Sequence, residues 1–221
     1  TPTGEHTDVR SKLIIQKEEG LHMSIFDSLK RQVASQLKRE AAKIVKETAQ
    51  NIGKGKNYSE TFTFSALPAN MEQLKKLPEA SLDSAFKTTA LTILALCRYE
   101  TDPSAALEML DFLKGPEQVS TYEKQFIAER LKGKGYKARS FLASATPENG
   151  YQPTTPYTIT VSENPYSFDN ENWATLYVTS SGADDPRPIK LRKKPSTGQW
   201  FLNDIQCLSD IRMPVEEDPW A

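Results

Sequence analysis

Histidine is almost missing from this 221-residue chain; the only two are His6 and His22. Both precede Met23, and the stretch Lys17-Glu-Glu-Gly20 can be encoded by a purine-rich run containing GGAGG, the pattern of a bacterial ribosome-binding site. Leu-His then supplies a short spacer before the Met23 codon. Residues 1–22 therefore read as a translated leader or cloning-derived segment, with Met23 as the start of the natural protein. On that reading the natural protein has no histidine, which removes imidazole general acid–base chemistry and Ser-His-Asp or Cys-His nucleophile activation. The two cysteines, Cys97 and Cys207, form no CxxC and cannot furnish a four-ligand zinc site. Each reads as a small core hydrophobe, Cys97 in a helix and Cys207 in a strand.

Long apolar runs are missing too. The longest candidate, Thr88–Leu96, is far short of the roughly 18–20 residues a membrane-spanning helix requires. The N-terminus does not show the charged-then-apolar order of a secretory signal, and a bacterial cytoplasmic location is expected. An overall charge preference is lacking as well: 28 basic residues against 29 acidic give −1, so nothing draws the whole chain to nucleic acid.

The charge that is present is unevenly placed. Residues 23–56 carry eight basic side chains against Asp27, Glu40 and Glu47, whereas 209–221 carry Asp210, Glu216, Glu217 and Asp218 against Arg212. Periodicity predicts one amphipathic helix over 23–53, ended by Gly53 and Gly55. Its apolar stripe includes Phe26, Leu29, Val33, Leu37 and Ile44, and Lys30, Lys38 and Lys43 occupy other positions. Phe26 to Leu37 and Val33 to Ile44 are eleven-residue steps, which suit a straight helix on a flat surface better than a seven-residue coiled-coil seam. These eight residues are the candidate membrane- or partner-binding set, because an amphipathic helix can bury its stripe at the acyl boundary while its lysines meet anionic headgroups. Packing on the domain's own core, or self-association into a homo-oligomer, would use the same stripe.

Residues 57–221 read as an α+β domain, helices followed by an antiparallel, hairpin-connected sheet. SETFTFSA (59–66) alternates as a strand. Helix signals follow: Asn70 with Gln73, a buried segment after Ser81, the Asp102-Pro103 start, and a Ser120…Glu123 capping box. A proline-rich connector spans 145–156. Beyond it the period changes to two in PYTITVS, WATLYVTS, IKLRKK and QWFLNDIQCL.

Other motifs carry less. Lys190, Arg192, Lys193 and Lys194, with Arg187, make one hairpin basic. Tyr177 and Trp200 could interleave as stacking residues, but edge-strand lysines that deter aggregation explain the pattern as well. Ser35-x-x-Lys38 lacks the companion motifs of serine acyl enzymes, and Gly53-Lys-Gly-Lys56 lacks P-loop spacing. Glu163, Asn164, Asp169 and Glu171 lack calcium-loop spacing and read as turn chemistry. Glu123 and Glu129 read as capping and surface carboxylates. Trp220 is as well suited to fold back over the sheet as to dock elsewhere.

The segments LPEASL, EMLDFLKGPEQVSTYEKQF, TPENGYQPTTPYTITVSENPYS, SSGADDPRPIKLRKKPSTGQWFL and SDIRMPVEEDPWA resemble a family of uncharacterised proteins of gut-associated Firmicutes, classed as a domain of unknown function. The resemblance covers about 59–221, and members that begin with a short helix like MSIFDSLKRQ support Met23 as a start. It implies no activity, no cofactor and no site residue. The expected function is a non-enzymatic binding or adaptor domain, docked through 23–53 to an anionic membrane surface, at the inner membrane face, or to a protein partner. The alternative is a small-molecule pocket protein of nuclear-transport-factor-like shape, with or without hydrolytic chemistry, and nucleic acid is a third, weaker partner class. A filled apolar interior would favour the adaptor, and a deep cavity with unpaired carboxylates the pocket.

Overall fold

The computed structural model describes residues 57–220 together with the single position Gln36. Over 57–220 the α+β expectation holds; the amphipathic helix that the sequence predicts before it lies outside the described residues.

Strand β1 (Ser59–Phe64) opens the domain, and α1 (Met71–Lys75), α2 (Ala85–Arg98), α3 (Pro103–Lys114), α4 (Thr121–Leu131) and the single turn α5 (Tyr136–Arg139) follow. Then come β2 (Tyr157–Ser162), β3 (Trp173–Val178), β4 (Arg187–Lys193) and β5 (Trp200–Ile205). The five strands form one antiparallel sheet in the order β1-β2-β3-β4-β5. Strand β1 waits through the whole helical stretch for its partner, pairing Phe62 with Ile159 and Phe64 with Tyr157.

Alternation divides the sheet into two faces. Phe62, Phe64, Ile159, Val161, Ala174, Leu176, Val178, Ile189, Leu191 and Leu202 point inward and are buried. Helix α2 lies against this face. It is apolar nearly all round, and twelve of its fourteen residues are buried, as expected of a helix with partners on several sides. Its buried threonines satisfy themselves: Thr89 and Thr92 donate to the carbonyls of Ala85 (2.9 Å) and Thr88 (2.8 Å), and Thr88 donates to Trp200 O (2.8 Å). The interior is filled, with Leu91, Ile93, Leu94, Met109, Leu110 and Leu113 each shielded from solvent.

Three helix boundaries sit where the capping residues place them. Asp102 accepts from Ala105 N–H ahead of Pro103, Ser120 and Glu123 form a reciprocal capping box, and Gly115 ends α3. The start of α2 differs from the sequence reading. It begins after Ser84, which accepts from Phe86 N–H, rather than after Ser81. Leu82 intervenes with φ 54°, fully buried, and its carbonyl accepts Trp200 N–H at 2.7 Å. A tertiary bond to β5 therefore holds the chain out of helix there.

The connector contains a buried anchor that its composition conceals. Tyr151 adopts φ 55°, stacks on Tyr136 (centroids 5.5 Å apart) and donates its hydroxyl to Arg212 O at 2.8 Å. Burial pushes that phenol up to about 12. Gly182 is required beneath it, since a Cβ there would lie 2.3 Å from the Tyr151 oxygen. Cys97 and Cys207 are buried, and desolvation pushes both thiols up to about 12, as core residues rather than nucleophiles. Cys207 follows β5 in a turn instead of lying within a strand.

Candidate functional site

The outer face of the sheet carries the chemistry. On β3 and β4 the residues between the inward ones are Trp173, Thr175 and Tyr177, and Pro188, Lys190 and Arg192. Register sets Trp173 beside Arg192, Thr175 beside Lys190, and Tyr177 beside Pro188. Phe201 of β5 pairs with Arg192 on the other side. Threonines continue the face across β2 and β1, where Thr160 and Thr61 hydrogen-bond through their hydroxyls at 3.2 Å.

One end of this face deepens into a cleft of about 390 Å³. Phe201 and Trp173 contribute its aromatic wall, and Arg192, Lys193 and Lys194 its basic rim. Glu117 from the α3–α4 loop and Glu171 from the β2–β3 loop also line it. The Arg192 guanidinium sits 5.1 Å from the Trp173 ring centroid and 3.6 Å from a Glu117 oxygen. Gly115 lets the α3 terminus approach Phe201: with φ +66° it leaves room where a Cβ would come within 2.2 Å of the ring. Asn172, at φ 62°, turns the chain at the rim, and its carbonyl accepts Lys193 N–H at 2.8 Å.

Beneath the cleft, Lys114 is buried. Its ammonium donates to Glu123 and to Asn203 O (3.1 Å). Burial raises the Glu123 carboxyl, but the bonds from Lys114 and from the Ser120 amide and hydroxyl together outweigh it and hold the group below the usual carboxylate range. Glu123 is thus more than the cap and surface residue its position suggests. Glu163, at the end of β2, is 5% exposed, and one of its oxygens has no hydrogen-bond partner among the described residues. Desolvation raises its carboxyl above the usual range.

Several sequence candidates are repositioned. Strand β4 lies between β3 and β5, so its lysines do not guard an edge; Lys190 belongs to the outer face of an interior strand, and Lys193 turns to Trp200. Tyr177 shares that face with Lys190. Trp200 does not: it packs edge-on against Phe168 with centroids 5.8 Å apart, and the Lys193 ammonium lies 5.7 Å from its centroid. Trp173, read only as the outward end of an alternating strand, is the aromatic that meets the basic rim. In the 163–171 loop Asn164 accepts from Tyr166 N–H at 2.9 Å, as turn chemistry predicts, and among the described residues no group of three His, Cys, Asp or Glu is arranged to hold a metal ion. Trp220 is 93% exposed and does not fold back over the sheet. No described helix is long and apolar enough to cross a membrane. The helix candidates Phe26, Leu29, Lys30, Val33, Leu37, Lys38, Lys43 and Ile44 lie outside the described residues, as do Ser35, Lys38 and the Gly53–Lys56 stretch of the other motifs.

Residues 66–215 match the family model described as Domain of unknown function (DUF6935). The chain belongs to that family. No curated protein and no solved structure matches it. The DUF6935 match starts just after β1 and ends at the first residue of the 3₁₀ turn Val215–Glu217, so it contains the whole cleft but not the first strand of the sheet.

Proposed function

We propose that this chain is a non-enzymatic binding or adaptor module, in which residues 23–53 dock the DUF6935 domain to an anionic membrane surface or a protein partner. The observation that carries the reading is the division of charge. Residues 23–56 hold eight basic side chains against three acidic, a net +5, and residues 57–221 hold seventeen basic against twenty-two acidic, a net −5. Anionic lipid attracts the first segment and repels the second, so attachment and presentation fall to different parts of the chain. The filled interior of the sheet domain supports an adaptor over an enclosed nuclear-transport-factor-like pocket. A gut-associated Firmicute as source and the cytoplasmic side of the inner membrane as location complete the proposal.

Flotation of the full chain with neutral and with phosphatidylglycerol-containing vesicles tests it. Binding to the anionic vesicles alone, reversed by salt, is expected. At roughly 1 kcal/mol per basic residue, replacing Lys30, Lys38 and Lys43 together by Gln should weaken binding by about a hundredfold. Equal flotation on neutral vesicles, or an unaffected triple variant, would refute the electrostatic anchor. No flotation at all would leave a protein partner as the docking surface.

The alternative of a small-molecule site also has an observation in its favour, although at a different place from an enclosed cavity: the outer-face cleft.

A further inference from the structure

We propose that the cleft at the end of the outer sheet face binds a small planar anion of nucleotide type, an aromatic ring carrying a phosphate. The inference does not rest on the docking role of residues 23–53.

Three properties of the cleft point to that chemistry. First, its charges are not all internally neutralised. Lys114 is committed to Glu123, and Arg192 faces Glu117 at 3.6 Å. Lys194 lines the cleft with no carboxylate within ion-pair distance among the described residues, whereas the Lys193 ammonium lies against the Trp200 ring, off the outer face. The Lys194 ammonium and the Arg192 guanidinium, two residues apart, suit a phosphate better than a single carboxylate. Second, the wall beside these cations is aromatic. Trp173 is 39% exposed, and Arg192 lies over its ring. A stacked indole and guanidinium form a platform that accepts a further planar ring. Third, the lining also offers acceptors. Glu117 and Glu171 can take hydrogen bonds from an exocyclic amine or a sugar hydroxyl, groups a nucleoside has and a simple organic phosphate lacks.

Size agrees. A volume of about 390 Å³ is at the small end of ligand pockets, which run from roughly 300 to 1,000 Å³. Two other depressions, of about 380 and 550 Å³, do not combine these features. The first is floored by Val119, Phe126 and Ile127 and shares the committed Lys114. In the second the only cation, Arg212, is paired with Asp184 at 2.7 Å. Regular structure supports the cleft: strand ends supply Trp173, Arg192 and Phe201, and the Asn172 carbonyl bonds Lys193 N–H at the rim.

Isothermal titration of the full chain at low ionic strength with AMP, adenosine, ribose 5-phosphate and inorganic phosphate tests the proposal. AMP should bind at least tenfold more tightly than any of the other three, because only AMP engages the ring platform and the cationic rim together. Trp173→Ala should weaken AMP at least tenfold and leave ribose 5-phosphate unchanged. Lys194→Ala should weaken AMP and ribose 5-phosphate alike and leave adenosine unchanged. Both residues are on the surface, and an unshifted thermal midpoint would verify that each variant is folded. AMP binding no tighter than phosphate would reduce the cleft to a basic patch and overturn the proposal. So would AMP binding that neither variant alters, or an absence of AMP binding at millimolar concentration.

Discussion

Lys114 and Glu123 make one ion pair, yet removing either partner should have different consequences. The Lys114 side chain is 6% exposed and that of Glu123 29%. Deleting the carboxylate strands a cation in the interior with only Asn203 O as a fixed partner; deleting the cation leaves a carboxylate that still holds the Ser120 cap and can reach water. Glu123→Gln should therefore cost about 2 kcal/mol at pH 7, and Lys114→Met markedly less. The folded carboxyl lies below its ordinary value of 4.5. Its contribution is present above that pH and is lost as pH falls through the lower folded value. Urea denaturation at pH 7, 5 and 3 should show the Glu123→Gln deficit shrinking toward acid. Glu163 has the opposite sign. Its carboxyl is raised by desolvation, so the folded state favours the protonated form and stability declines as pH rises through the shifted value. Glu163→Gln should stabilise the domain by about 1 kcal/mol at pH 7, with the gain disappearing below the ordinary carboxylate range. A loss at pH 7 would mean that the ionised carboxylate makes a favourable interaction.

At the scale of elements, the joint between α3 and β5 is the most sensitive part of the site. Gly115 and Gly198 both have positive φ, +66° and +75°, but only Gly115 faces another group, the Phe201 ring. Gly198→Ala should thus cost only the backbone strain, about 1 kcal/mol. Gly115→Ala adds a clash with an aromatic ring that forms part of the cleft wall, for about 3 kcal/mol in total. Chemical denaturation of the two variants isolates the clash, and equal losses would show that Phe201 yields freely.

Such joints are what the sequence conceals. Elements defined by local chemistry were legible: the alternation in 157–162 and 173–178, the caps at Asp102 and Ser120, the stop at Gly115. What depended on contacts between distant segments was not. The start of α2 is delayed by the Leu82–Trp200 bond across the domain, and Tyr151 is buried because Gly182 and Arg212 meet it from another loop. The cleft is the same kind of feature. Alternation showed Trp173 and Tyr177 sharing a face, but strand order decided that Arg192 would stand beside Trp173 and that the basic strand would be interior. Without it, the sequence points to Tyr177 and Trp200 as stacking residues and passes over Trp173.

For the molecule as a whole, the family match and the folded unit have different boundaries. The DUF6935 match begins at residue 66, after β1 has ended. Yet β1 pairs along its full length with β2, and Phe62 and Phe64, 6% and 4% exposed, are part of the core. A chain starting at residue 66 would lose both phenylalanines, each worth about 1.5–3 kcal/mol of burial, and would leave β2 as an open edge. Its carbonyl and amide groups, formerly bonded to β1, would template pairing with a second molecule. Charge would not prevent this, because the open strand YTITVS has none. Compared with 57–221, a fragment of 66–221 should therefore melt at a clearly lower temperature and elute as dimers or larger species at size exclusion. A fragment from 57 should remain monodisperse. If 66–221 matched it in both measurements, β1 would be an accessory strand and the folded unit would coincide with the family boundary. The aggregation expected instead follows from an antiparallel meander whose first strand is supplied more than ninety residues before its neighbour, so that trimming to the start of the family match removes an edge that the rest of the fold needs.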